Sequence, residues 1–119
     1  MLQKKLVIFS IFSIFLITSC SKPQEVVDCS TVVSTQNTYT NAIKSIIDGS
    51  CATSGCHTQN SRAGGIALNT YATVKTSFIN GKSLCSVKHT CNPMPQGGAK
   101  LSNETIKKLE CWVNSGAPE

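Results

Sequence analysis

Cys51-Ala-Thr-Ser-Gly-Cys56-His57 places two thiols five residues apart, with an imidazole directly after the second. A cysteine pair closing on Cys-His is the pattern that anchors c-type haem. Each thiol can bond one vinyl group of the porphyrin, and the adjacent histidine then serves the iron as proximal axial ligand. The usual spacer is two residues, and here it is four. Downstream, Asn92-Pro93-Met94-Pro95 offers a thioether on a loop stiffened by two prolines, because each fixes its own φ and restricts the residue before it. Met94 is therefore the candidate distal ligand. His89 lies in the same loop and is the alternative. Its neighbours Lys88, Thr90 and Asn92 read as a solvated position.

The N-terminal stretch reads as an address. Lys4 and Lys5 precede an almost unbroken apolar run from Leu6 to Ile17. That run is well short of the roughly twenty residues a membrane-spanning helix needs. It ends in Ile17-Thr18-Ser19-Cys20, which resembles the lipobox of bacterial lipoproteins. The resemblance implies a signal peptide over residues 1–19 and a lipid on Cys20, the first mature residue. The plainer reading is an ordinary cleaved signal with an incidental cysteine. Both readings export the chain, so disulfides are permitted. With the lipid, the protein is anchored in the cell envelope, at the periplasmic or outer-membrane face, without spanning a membrane.

About one hundred residues remain, enough for one domain. Removing Lys4 and Lys5 takes the formal charge from +5 to +3. No Lys/Arg cluster is interleaved with aromatics, so a nucleic-acid partner is not indicated, and no small-molecule substrate is evident. Three of the four phenylalanines belong to the signal, which leaves Tyr39, Tyr71, Phe78 and Trp112. A core this thin calls for staples or a cofactor.

The cysteine count fits that need. Of the seven thiols, Cys20 goes to lipid and Cys51 with Cys56 to haem. Cys29, Cys85, Cys91 and Cys111 remain, an even number with three possible connectivities. Cys85–Cys91 is favoured because it would pin the loop before Met94, and Cys29–Cys111 would tie the N-terminal segment to the last helix. The count also admits Cys51–Cys56 as a plain disulfide without haem.

Residues 20–37 are polar and read as a tether, and the folded domain occupies residues 38–119. Tyr39, Ala42, Ile43, Ile46 and Ile47 recur at helical spacing, with Thr38 or Thr40 as cap and Gly49 as stop. A glycine-rich loop follows His57. A second helix is expected from about Tyr71 to Phe78, capped by Asn69 or Thr70 and ended by Gly81. Lys82 to Lys100 reads as irregular. The last helix runs from Ser102 to Asn114, with Glu104 in its first turn and Ile106, Leu109, Trp112 and Val113 as its buried stripe.

Four pieces, in order, resemble the cytochrome c superfamily, and more closely the short cytochrome c-like lipoprotein domains of Bacteroidetes and Planctomycetes. They are Cys51-x4-Cys56-His57, Gly64-Gly65-Ile-Ala-Leu-Asn-Thr-Tyr71, Met94-Pro95-Gln-Gly-Gly-Ala-Lys-Leu-Ser102 and Trp112-Val-Asn-Ser-Gly-Ala-Pro118. The resemblance spans Tyr39 to Pro118. It implies an all-α fold of three or more helices around a covalently bound haem c, with long irregular loops. It also implies thioether attachment at Cys51 and Cys56 and axial ligation by His57 and Met94. The four-residue spacer and the extra cysteines depart from the pattern.

The function expected is electron transfer by a haem-binding, membrane-anchored carrier serving a redox protein partner, and not catalysis. Two alternatives stand beside it. One is a disulfide-stapled lipoprotein interaction domain without haem. The other is a metal-binding or redox protein using Cys51, Cys56 and His57 directly, although zinc usually takes four clustered ligands at shorter spacing.

Overall fold

A computed structural model describes residues 26–119. The signal-peptide and lipid expectations, Cys20 included, lie outside the described residues. Within them the chain forms helices and turns and no strand.

The first element opens as a wide turn, Tyr39–Ile43, and continues as α1, Lys44–Ser50. The Thr38 carbonyl accepts from both Ala42 N–H (3.0 Å) and Ile43 N–H (3.1 Å), so the backbone is locally under-wound. Tyr39, Ile43 and Ile47, four residues apart, all become buried on one side. Thr38 is the cap, its hydroxyl accepting from Asn41 N–H. The helix passes through the expected stop at Gly49. It ends where Cys51 and Ala52 N–H groups both converge on the Ile47 carbonyl at 2.8 Å.

A single 3₁₀ turn at Ala63–Gly65 interrupts the loop that follows. Helix α2, Tyr71–Ile79, starts at a reciprocal capping box between Thr70 and Thr73. After it, Gly81 is required by close approach, since a Cβ there would meet the Ser77 carbonyl oxygen at 2.5 Å.

The expectation of an irregular segment from Lys82 to Lys100 is corrected by a short helix α3, Ser83–Val87. Five residues are too few to be helical on their own propensity. Burial of Ser86 and Val87 against the rest of the fold supplies what propensity does not. Helix α4, Asn103–Asn114, is capped by Ser102 and carries Glu104 in its first turn.

The core is organised on Trp112, which is fully buried. Its ring centroid lies 6.4 Å from Tyr39 and 6.1 Å edge-on to Phe78, with Tyr39 5.3 Å from Tyr71. Such pairs contribute about 0.5–1.5 kcal/mol each beyond area burial. The indole N–H donates to the Pro118 carbonyl at 2.8 Å, so the one polar atom of the side chain is satisfied.

The segment Gly116–Glu119 is laced to the fold at the same place. Tyr39 N–H donates to Pro118 O, Thr40 N–H to Glu119 O, and the Tyr71 hydroxyl to Ala117 O. Two donors at the start of the first helical segment, which have no partner within it, are thereby paired.

Disulfide Cys29–Cys111 fastens residues 26–37, which form turns only, onto α4. Asn37 is buried there and its amide donates to the Lys108 carbonyl at 3.0 Å. The second disulfide, Cys85–Cys91, joins α3 to the loop after it. Lys88 at the end of α3 forms an ion pair with Glu110 of α4, whose carboxylate is largely buried. No described helix is long and apolar enough to cross a membrane.

Candidate functional site

A cleft of about 270 Å³ opens between the loop after α1 and the segment from α3 to Leu101. Its walls are mainly apolar, with Ile66, Leu68, Phe78, Val87 and Leu101 contributing. Cys51, Cys56 and His57 line it, and so do Met94 and Pro95. The two stretches singled out from the sequence, nearly forty residues apart, thus border one cavity.

The loop carrying the thiols is held by its own backbone. His57 N–H donates to Cys51 O at 3.1 Å, Ala63 N–H to Cys56 O at 2.9 Å, and Leu68 N–H to His57 O at 2.8 Å. Thr58 and Ser61 exchange hydrogen bonds, and the Ser61 hydroxyl also accepts from Gly55 N–H at 3.1 Å. Gly55 sits at φ 80°, a left-handed conformation in which glycine carries no Cβ penalty. The four-residue spacer is therefore an ordered turn that returns Cys56 to the cleft beside Cys51.

His57 is half-buried, and its Nδ1 lies 3.1 Å from the Ile66 carbonyl oxygen. A carbonyl can only accept, so Nδ1 carries a proton, and in the neutral ring Nε2 then keeps the lone pair. This is the arrangement in which a backbone carbonyl fixes the ring of a metal-binding histidine and raises its basicity. Cys51 and Cys56 are both unbonded to other cysteines. Burial, with a smaller contribution from neighbouring Cys56, pushes the Cys51 thiol up to about 11, so at neutral pH it is protonated and weakly nucleophilic. Cys56 is exposed.

Met94 is half-buried, and its N–H donates to the Ser86 carbonyl at 3.1 Å. His89, expected in solvent, is half-buried, and it is not part of the cleft wall. Its Nε2 is engaged 3.0 Å from the Met94 carbonyl oxygen. The difference arises because the polar neighbours that suggested exposure do not control the ring, which turns inward across the loop.

The sequence singled out the candidate residues but not the walls. Leu68, Phe78, Val87 and Leu101 are ordinary apolar positions whose common destination depends on tertiary packing. Ile66 was legible only as part of the glycine-rich stretch, with nothing to show that its carbonyl would orient His57. Among the described residues, no group of three or more His, Cys, Asp or Glu side chains is gathered to hold a metal ion. Two thiols, an imidazole and a thioether are the donor types a c-type haem would use, and soft metals such as copper and zinc take the same types. Compared with known proteins, the chain matches no family model, no curated protein and no solved structure.

Proposed function

We propose that this chain is a c-type haem protein of the cytochrome c kind, anchored in the cell envelope through Cys20 and relaying electrons between protein partners. The observation that carries the reading is that Cys51, Cys56 and His57 share one apolar cleft with Met94. His57 is moreover already oriented through its Nδ1.

The residues fit the group they would hold. Cys51 and Cys56 would carry it through thioethers, while His57 Nε2 and Met94 Sδ would be the iron ligands. When bound, haem supplies an iron that cycles between ferrous and ferric states. The chain's own contribution is to position and to exclude. The Ile66 carbonyl holds the imidazole in one tautomer and orientation. The apolar walls at Leu68, Phe78, Val87 and Leu101 keep water from the centre, which disfavours the more highly charged oxidised state. A thioether ligand raises the potential further relative to a second imidazole. Were His57 and Met94 both to bind the iron, no position would be left for oxygen or substrate, which favours electron relay over oxygen chemistry.

Two observations weigh against the alternatives. Cys51 and Cys56 remain unbonded while the other four described cysteines pair, which disfavours a domain merely stapled at that site. The missing donor cluster disfavours direct use of the two thiols and His57 on a cation such as zinc. The test is expression of the whole chain in a host with haem-ligation machinery. Haem should stay on the polypeptide through denaturing electrophoresis and give a c-type absorption band. Colourless protein from a competent host would remove the proposal.

A further inference from the structure

The loop that carries Met94 contains one side chain for which none of these roles accounts. Ser86 to Met94 forms a closed loop, because the Ser86 carbonyl accepts from both His89 N–H (3.0 Å) and Met94 N–H (3.1 Å). Disulfide Cys85–Cys91 crosses the same region. Inside the loop, His89 sits at φ 59°. Few residues with a Cβ adopt that left-handed conformation, although His does so more readily than most. Glycine would hold the same turn more readily still, so backbone geometry alone does not account for a histidine here.

The ring does account for it. Nε2 lies 3.0 Å from the Met94 carbonyl oxygen, which can only accept, so this nitrogen carries a proton. The main chain of Met94 is then held at both of its polar groups, the N–H by Ser86 and the carbonyl by His89. Cys85–Cys91 and Lys88–Glu110 act upstream of Met94, and Pro95 restricts the Met94 backbone without bonding its carbonyl.

We propose that His89 is a positioning residue for Met94, its ring N–H locking the backbone that presents the thioether to the cleft. The inference deepens the haem reading and rests on it for what Met94 contacts, whereas the hydrogen bond itself does not depend on that reading. The donor is present in both the neutral Nε2–H ring and the doubly protonated one. What matters is a hydrogen-bond donor at the right reach.

The test compares three variants of the full matured chain. His89→Gln keeps an N–H donor at a reach close to that of Nε2. His89→Asn tolerates the left-handed backbone equally well but is one bond too short. His89→Gly relieves the backbone and removes the donor. The readouts are the rate at which the ferrous protein captures carbon monoxide, which requires Met94 to leave the iron, and the sulfur-to-iron charge-transfer absorption of the ferric protein.

The Asn and Gly variants should capture carbon monoxide about tenfold faster, the population change that loss of one hydrogen bond supports, and their charge-transfer absorption should weaken. The Gln variant should keep the parental rate and band. The Gly variant should unfold at a denaturant concentration no lower than the parent, which separates loss of positioning from loss of stability. Parental behaviour in all three, or a Gln variant that behaves like Asn, overturns the proposal.

Hydrogen exchange at the Met94 amide, measured in the same preparations, reads the restraint without haem. A colourless protein in which Asn and Gly speed that exchange and Gln does not would sink the haem reading and leave the role of His89 standing. A haem-loaded protein indifferent to all three variants would do the reverse.

Discussion

Replacing Met94 with alanine removes a thioether from the cleft while leaving Cys51, Cys56 and His57 in place. On the haem reading proposed above, haem should remain attached and the reduction potential should fall by on the order of 0.1 V or more, within the span of about 0.8 V that axial ligands command. The ferrous protein should also become open to carbon monoxide. An unchanged spectrum in that variant would take Met94 out of the coordination sphere. Cys51 allows a second check at the same scale, on protein made without haem. Its thiol is raised to about 11 chiefly by burial, from an ordinary value near 9. Between those values the folded chain keeps a proton that the unfolded chain has lost, so stability falls as pH rises. Below about pH 9 the contribution is fully present. Denaturant melts of the haem-free chain should therefore weaken between about pH 9 and 11, and Cys51→Ala should flatten that slope. An identical slope in the variant would mean that another group is responsible.

At the scale of elements, α2 depends on its first turn. Thr70 and Thr73 satisfy each other's backbone donors, and the helix presents Val74 and Phe78 to the core and, through Phe78, to the cleft. Thr70→Ala should cost about 1 kcal/mol, read in urea unfolding, and Thr70→Gly only a few tenths. Equal losses would point to packing of the threonine methyl and not to capping. Helix α4 shows where periodicity suffices and where it does not. Of the stripe expected from spacing, Ile106, Leu109 and Trp112 are buried and Val113 is only half-buried. Glu110 and Cys111 are buried as well, on a flank that spacing assigns to solvent. Their covers come from elsewhere in the chain, Lys88 from α3 and Cys29 from the N-terminal segment. Helix α3 was missed for the same reason: a five-residue helix has almost no local signal and exists because its neighbours bury it.

For the whole molecule, the two disulfides should contribute unequally. Cys29–Cys111 spans 82 residues and Cys85–Cys91 spans 6. On chain-entropy grounds the first should stabilise by about 4–5 kcal/mol and the second by about 2 kcal/mol. Paired serine substitutions, compared by denaturant unfolding, should reproduce that order. If the short bridge proves the more stabilising, its role lies in native packing around Met94 rather than in the unfolded chain. The sequence by itself determined the helical periods and the Ser102 cap, narrowed the other caps to Thr38 or Thr40 and to Asn69 or Thr70, and singled out Cys51, Cys56, His57 and Met94 as candidates. Each of these is a matter of residue type and near spacing, which local sterics and hydrogen bonding translate directly. Only the tertiary structure decided that Met94 and the Cys51–His57 turn border one cleft, that the Ile66 carbonyl orients His57, and that the His89 ring folds back onto Met94. Those contacts depend on how segments meet in space around Trp112, and the packing energy that sets the meeting is shared among residues too distant in sequence for any local pattern to record.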